Sequence, residues 1–214
     1  MIPSRTIFWD VDTQLDFILA SGRLAVPGAE AIVPALAQLT EHAHANNIRI
    51  VASADDHDVG HAEIVDAHSA NWKTTFPPHC MRGTAGQRKI PQTALRDPLL
   101  IEPVPFGDGE VAALVRECGG DVLLHKPGLD VFRWNPNAAD VLEALSPDRI
   151  VLYGVATDFC VAAAVDGIRR LRPDAELVVV TDAIGAIDAA AGERLCTAWA
   201  AGGVVLRTAA EITA

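Results

Sequence analysis

The chain has 214 residues, 50% of them hydrophobic and 21% charged, a composition that belongs to a folded globular protein and excludes a disordered one. A formal net charge of −11 argues against nucleic acid or an anionic membrane surface as a partner. No stretch approaches the roughly 20 consecutive apolar residues of a membrane span, and one domain over residues 1–214 is the expected organisation.

Taken in order, the chain alternates short apolar runs with helical patterns. After Met1-Ile-Pro-Ser-Arg-Thr, which lacks a signal-peptide pattern, strands are predicted at Thr6–Val11, Arg49–Ser53, Val122–His125, Arg149–Tyr153, Glu176–Thr181 and Val204–Arg207, with Leu99–Glu102 as a candidate extra one. Helical spacing occupies Ala29–Asn46, Gly109–Glu117, Ala138–Leu145, Asp158–Arg170 and Asp188–Ala201. Such alternation predicts an α/β fold: three layers, α/β/α, around a mainly parallel, about six-stranded, Rossmann-like sheet. One long irregular region, from Asp55 to about Pro98, carries four of the seven histidines: His57, His61, His68 and His79. A loop of that length in a compact domain is usually functional or disordered, and Trp72 and Phe76 argue for order.

Ligands of open parallel sheets sit beyond the carboxyl ends of the strands, so those residues carry the functional reading. After the first strand come Asp10, Asp12, Gln14 and Asp16, any one of which could be only a solvated turn residue. The Asp10-Val-Asp12 pattern is shared with haloacid-dehalogenase-like phosphatases. That family expects Thr or Val where this chain has Gln14, and its magnesium-binding acidic pair falls late, whereas Asp55-Asp56 is early. After the second strand, Asp55 and His57, together with histidines of the long loop, have the donor chemistry for zinc, iron or manganese; the alternative is a set of merely exposed histidines. Lys126 closes the next strand, where a lysine can hold an anion or thiolate, though many such lysines simply reach solvent. Cys160 follows the strand through Tyr153 and the turn at Gly154, near a predicted helix start whose partial positive charge favours a thiolate. It reads either as a nucleophile or as a small core residue. Asp12, Lys126 and Cys160 all fall on one rim of the predicted sheet, and that convergence favours chemistry. The four cysteines (80, 118, 160, 196) are scattered, which suits reduced thiols in a cytoplasm rather than a disulfide framework.

In order, these segments resemble the isochorismatase-like cysteine hydrolases, and within them the nicotinamidase/pyrazinamidase-type amidases. The resemblance rests on Asp12-Thr-Gln-Leu-Asp-Phe17, Leu24-Ala-Val-Pro-Gly28, Asp55-Asp-His57 with His61, Phe76-Pro-Pro-His79-Cys80, Gly83-Thr-Ala-Gly86, Lys126, Gly154-Val-Ala-Thr-Asp-Phe-Cys160 and Thr181-Asp-Ala183. It implies a triad of Asp12, Lys126 and Cys160 that cleaves a small, nicotinamide-like amide through a thioester. It also implies an oxyanion hole from the backbone N–H groups of Ala156 and Cys160, commonly beside a cis Val155–Ala156 bond. Asp55, His57, His61 and His79 are implied as ligands of one divalent ion, zinc in the first instance and iron or manganese as alternatives, with His68 as the substitute for His61. Phe17, Phe76, Phe132, Val155 and Phe159 are implied around a flat-ring pocket. A cytoplasmic homo-oligomer acting on a small molecule, without nucleic-acid or membrane partners, completes the expectation.

The chain departs from the nicotinamidase pattern in the short His57–His61 spacing, in the segment Leu129 to Asn137, and at Phe159, where histidine is common in those enzymes. The alternatives are a metal-free hydrolase of isochorismate-like acids, disfavoured by Asp55, His57 and His79, and a non-catalytic binding protein, disfavoured by the intact Asp12, Lys126 and Cys160.

Overall fold

The apolar β-branched runs predicted as strands all pair, and the three at Thr6–Val11, Arg49–Asp55 and Arg149–Val155 are buried on both faces of the sheet, with no polar face to leave in water. The structure is a computed structural model that describes residues 5–214. Its strands are β1 (Thr6–Val11), β2 (Arg49–Asp55), β3 (Leu99–Ile101), β4 (Val122–Lys126), β5 (Arg149–Val155), β6 (Glu176–Gly185) and β7 (Val205–Arg207). They form one seven-stranded parallel sheet in the order β3-β4-β2-β1-β5-β6-β7. The candidate extra strand at Leu99 is therefore real and the sheet has seven strands rather than about six. Strands β2, β4, β5 and β6 each run past their predicted ends, to Asp55, Lys126, Val155 and Gly185. In each case polar or small residues that sequence reading assigns to loops still find a hydrogen-bonded neighbour.

The helices are α1 (Leu15–Ile18), α2 (Val33–Ala45), α3 (Glu110–Glu117), α4 (Val131–Trp134), α5 (Ala138–Leu145), α6 (Ala162–Leu171), α7 (Ala189–Ala201) and α8 (Ala209–Thr213). Two apolar clusters, one on each face of the sheet, complete the α/β/α layers: one joins Trp9, Leu124, Leu142 and Ile168, the other Phe8, Leu36, Val151 and Tyr153. Among the described residues no helix is long and apolar enough to cross a membrane.

After β4 the chain crosses from one side of β1 to the other, placing β5 beside β1. The crevice at such a reversal of strand order is where open α/β sheets bind ligands. Asp12 lies immediately beyond β1, Asp55 and Lys126 end β2 and β4, and Ala156 follows β5. Gly154 makes this closeness tolerable: at φ 121° its missing side chain leaves room for the Val11 carbonyl of the paired strand.

The predicted helix Asp158–Arg170 does not start as an α-helix. Thr157–Val161 is a π-helical turn, with the Val161 N–H donating to the Ala156 carbonyl at 3.1 Å, and α6 follows directly. The extra residue in that turn falls where Cys160 is presented.

Candidate active site

Asp12 takes left-handed backbone (φ 49°), and its N–H is bonded to the Ser53 carbonyl at 3.2 Å, so the chain turns as β1 ends. Its carboxylate accepts from the Ser53 hydroxyl at 2.7 Å and lies 3.0 Å from Lys126 Nζ. Lys126 Nζ also contacts Asp55 Oδ1 and stands 3.6 Å from Cys160 Sγ. The structure thus brings Asp12, Lys126 and Cys160 together, with the whole lysine side chain buried. A buried ammonium is tolerable here because two carboxylates face it.

The electrostatics decide the resting protonation. Burial drives the Cys160 thiol well above its usual range; Lys126 pulls it down, but Asp12 and Asp55 push it further up. Burial, with Asp12 and Asp55 adding to it, thus favours the protonated thiol at Cys160. That direction runs against the thiolate favoured by a helix-start argument, and burial is its largest cause, with the two carboxylates adding to it. Burial also raises Asp12, with Lys126 opposing and Asp55 adding to the rise. For Asp55 burial acts upward, yet Lys126 and the facing imidazoles of His57 and His79 overcome it and hold that carboxyl well below its ordinary value. Burial would lower the Lys126 ammonium, but Asp12 and Asp55 keep it charged, well above its usual value. A charged ammonium thus stands beside a carboxyl and a thiol that are both raised above their ordinary values.

Asp55 faces both ways. Its other oxygen, Oδ2, lies 3.4 Å from His57 Nε2 and 3.5 Å from His79 Nε2. Glu63 Oε1 lies 4.0 Å from His57 Nε2, and one donor atom from each of Asp55, His57, Glu63 and His79 falls within 4.8 Å of the others. Three observations fit this set to a divalent cation. Its donors are two imidazoles and two carboxylates. Neither ring nitrogen of buried His57 makes a hydrogen bond. The His79 Nδ1–H donates to the Pro77 carbonyl at 2.8 Å, which leaves Nε2 as a ligand.

The fourth member of this cluster is Glu63, and His61 lies outside it. The His61 ring sits 6.0 Å from that of His57, and its Nδ1 accepts the Asp58 N–H at 3.0 Å in a tight local turn. His68 is exposed and outside the cluster. Glu63 is carried inward because the loop folds back on itself, with the Phe76 N–H on the Glu63 carbonyl at 2.8 Å and the Val65 N–H on the Phe76 carbonyl at 3.0 Å. A single carboxylate in a polar loop gives no signal of this in the sequence.

The loop is held by buried polar side chains from the strand ends and from the short helix α1. Gln14 accepts the Asp55 N–H at 2.7 Å and donates to the Asp55 and Gln87 carbonyls at 2.8 and 2.6 Å. Asp16 accepts the Cys80 N–H at 2.8 Å, Asp56 pairs with Arg82 and Gln87, and Asp10 pairs with Lys89 at 2.9 Å.

A pocket of about 390 Å³, counting its open mouth, leads to the sulfur. It is lined by Phe17, Leu24, Val26, Phe76, Leu129, Phe159 and Ile187, with Asp55, Glu63, His79, Ala156 and Cys160 at its base. Phe76 and Phe159 meet edge to face at 5.8 Å between centroids. Of the expected lining residues, Phe17, Phe76 and Phe159 are present and two are not. Phe132 is turned away by α4 and stacks on Trp9 at 5.4 Å, filling the space that Gly167 leaves empty. Val155 is buried in the core, and the peptide bond it makes to Ala156 is cis. Leu129 and Ile187, which sequence reading missed, supply walls from two loops.

A family model described as the isochorismatase domain matches residues 7–211. The nicotinamidase/pyrazinamidase of Mycobacterium tuberculosis is 31% identical over 179 residues, covering 82% of this chain and 86% of that protein. The nicotinamidase of Escherichia coli is 24% identical over 191 residues, 85% of this chain and 83% of that one. A crystal structure of the pyrazinamidase of Pyrococcus horikoshii in complex with zinc superposes with a TM-score of 0.71 at 20% identity, covering 95% of this chain and 99% of that one.

Proposed function

From the premise that this chain belongs to the isochorismatase family, we propose that it is a metal-containing cysteine amidohydrolase that converts a small, nicotinamide-like amide to acid and ammonia. The observation that carries the reading is the placement of Lys126 Nζ 3.0 Å from Asp12 and 3.6 Å from the Cys160 sulfur. The relatives named nicotinamidase or pyrazinamidase support an amide C–N bond as the target.

Each residue then has a task. Asp12 takes the thiol proton as Cys160 Sγ attacks the amide carbon, and Lys126 balances the negative charge passing between them. The backbone N–H groups of Ala156 and Cys160 receive the developing oxyanion. Asp12 returns its proton to the departing nitrogen, ammonia leaves, and a thioester remains on Cys160. Water, deprotonated by Asp12, attacks that thioester and releases the acid and the thiol. Asp55, His57, Glu63 and His79 would hold the divalent ion, for which the zinc-bound relative offers a precedent. When bound, it supplies a Lewis-acidic position for a ring nitrogen or other polar group of the substrate. His61 drops out of the proposed ligand set.

The metal-free alternative suits the site less well. An isochorismate-like dicarboxylate would meet Asp55 and Glu63 in a pocket lined by no arginine or lysine among the described residues. A cytoplasmic location accords with four unpaired cysteines.

The test is a screen of small primary amides, nicotinamide and pyrazinamide among them, for ammonia release, with Cys160→Ala as control. Turnover that disappears in the variant, together with a mass increase on Cys160 trapped with substrate, is the expected result. Ammonia release that survives Cys160→Ala overturns it.

A further inference from the structure

Asp158 sits two residues before the nucleophile and has no part in the proton transfers just described. Its carboxylate spans instead to the connection between β6 and α7. Oδ1 accepts the Ile187 N–H at 2.9 Å and Oδ2 accepts the Asp188 N–H at 2.8 Å. These N–H groups lie between the end of β6 at Gly185 and the start of α7 at Ala189. Asp188 in turn caps α7, accepting from the Ala190 and Ala191 N–H groups at 2.9 and 3.2 Å. The first turn of α7 rests on the same region: a Cβ on Gly192 would come within 2.8 Å of Ala186 and 3.7 Å of Thr157. The nucleophile turn and the β6–α7 connection are thus fastened by one carboxylate with both oxygens engaged.

What that fastening holds is a wall of the pocket. Ile187 lines it together with Leu129 and Phe159, although 42% of its surface faces solvent. So exposed a side chain is not fixed by burial, and its backbone anchor sets its position. We infer that Asp158 is a positioning residue that fixes Ile187 against the pocket and thereby limits the width of the acyl group that reaches Cys160. The ligand class it selects is a narrow, flat or unbranched primary amide, and branched or two-ring amides are kept out. This rests on the pocket being the substrate site, and the experiment separates the two.

Amidase activity is one readout and alkylation of Cys160 is the other, since alkylation needs no amide substrate. Intact protein is treated with iodoacetamide and, separately, with N-benzyl iodoacetamide, and modification of the Cys160 peptide is followed by mass spectrometry. In Asp158→Ala the bulky-to-small rate ratio should rise about tenfold, the scale of losing a hydrogen bond to a charged group. Hydrogen exchange at the Ile187 and Asp188 amides should accelerate alongside it. Ile187→Ala should reproduce the change in ratio with Asp158 intact, and the double variant should add little more. Asp158→Asn keeps one accepting oxygen and should fall between. If an amide is turned over, KM should rise in Asp158→Ala while kcat and the pH profile stay near their original values. An unchanged alkylation ratio in both Asp158→Ala and Ile187→Ala overturns the inference. A shifted pH profile in Asp158→Ala overturns it too, by assigning the carboxylate an electrostatic part in the chemistry. An altered ratio without any amide turnover sustains the positioning role while the amidase reading fails.

Discussion

Lys126 is fully buried, and its ammonium is shared between Asp12 and Asp55. Lys126→Met would leave two buried carboxylates without their cation and should cost about 3–5 kcal/mol of stability; a urea midpoint unchanged from the parent would contradict it. The base responds in a direction fixed by its neighbours. Burial raises Asp12, and the Ser53 hydroxyl is among the groups holding it down. Ser53→Ala removes that restraint, so the acid limb of kcat/KM should move to higher pH, read from a rate profile across the acidic range. At the cation cluster, Glu63→Ala should lower zinc affinity by about 10- to 100-fold, whereas His61→Ala should leave it near the parent value; elemental analysis after dialysis against graded chelator distinguishes them. Sequence spacing could favour histidines for that cluster because imidazoles are scarce in the chain. It could not show that the 57–61 turn spends His61 on an Asp58 N–H.

At the level of elements, the strands were the most legible part, because a strand buried on both faces reads as an uninterrupted apolar run. Legibility ended where pairing continued into polar residues, as at Asp55 and Lys126, which are both the last residues of strands and parts of the site. The nucleophile turn was half legible. Gly154 and Cys160 marked a bend and a thiol, but the π-helical turn depends on the register of one hydrogen bond, from Val161 to Ala156. The pocket walls were least legible: the one-turn helix α4 rotates Phe132 onto Trp9, and nothing in its apolar character distinguishes that fate from a ligand contact. The long loop owes its order to the side chains of Gln14, Asp16 and Asp56 rather than to a core of its own. Asp16→Ala should leave the Cys80 N–H buried without an acceptor, at a cost of about 1–3 kcal/mol, and faster hydrogen exchange over residues 80–86 than elsewhere in the loop would locate the loss.

For the whole molecule, the candidate cluster joins the end of β2 to two separate points of the long loop, at Glu63 and His79. A ligand bound only by the folded state stabilises it by mass action, so zinc at about 100 times its dissociation constant should add about 2.7 kcal/mol. Thermal melting with and without zinc measures this, and a His57→Ala variant should lose the increment. The α/β class was readable from strand–helix alternation, whereas the strand order was not, since a parallel crossover can return on either side of β1. That choice of side has a further consequence. Residues 6–145 build one half-sheet carrying Asp12 and Lys126, and residues 149–207 build the other, carrying Cys160. The halves meet along the six paired residues of β1 with β5. The polypeptide link between them is only the turn Ser146–Asp148, so the molecule is divisible at that turn into a fragment with Asp12 and Lys126 and a fragment with Cys160. Co-expressed as separate chains 1–146 and 147–214, the pieces should reassemble along this seam and recover Cys160 chemistry that neither performs alone.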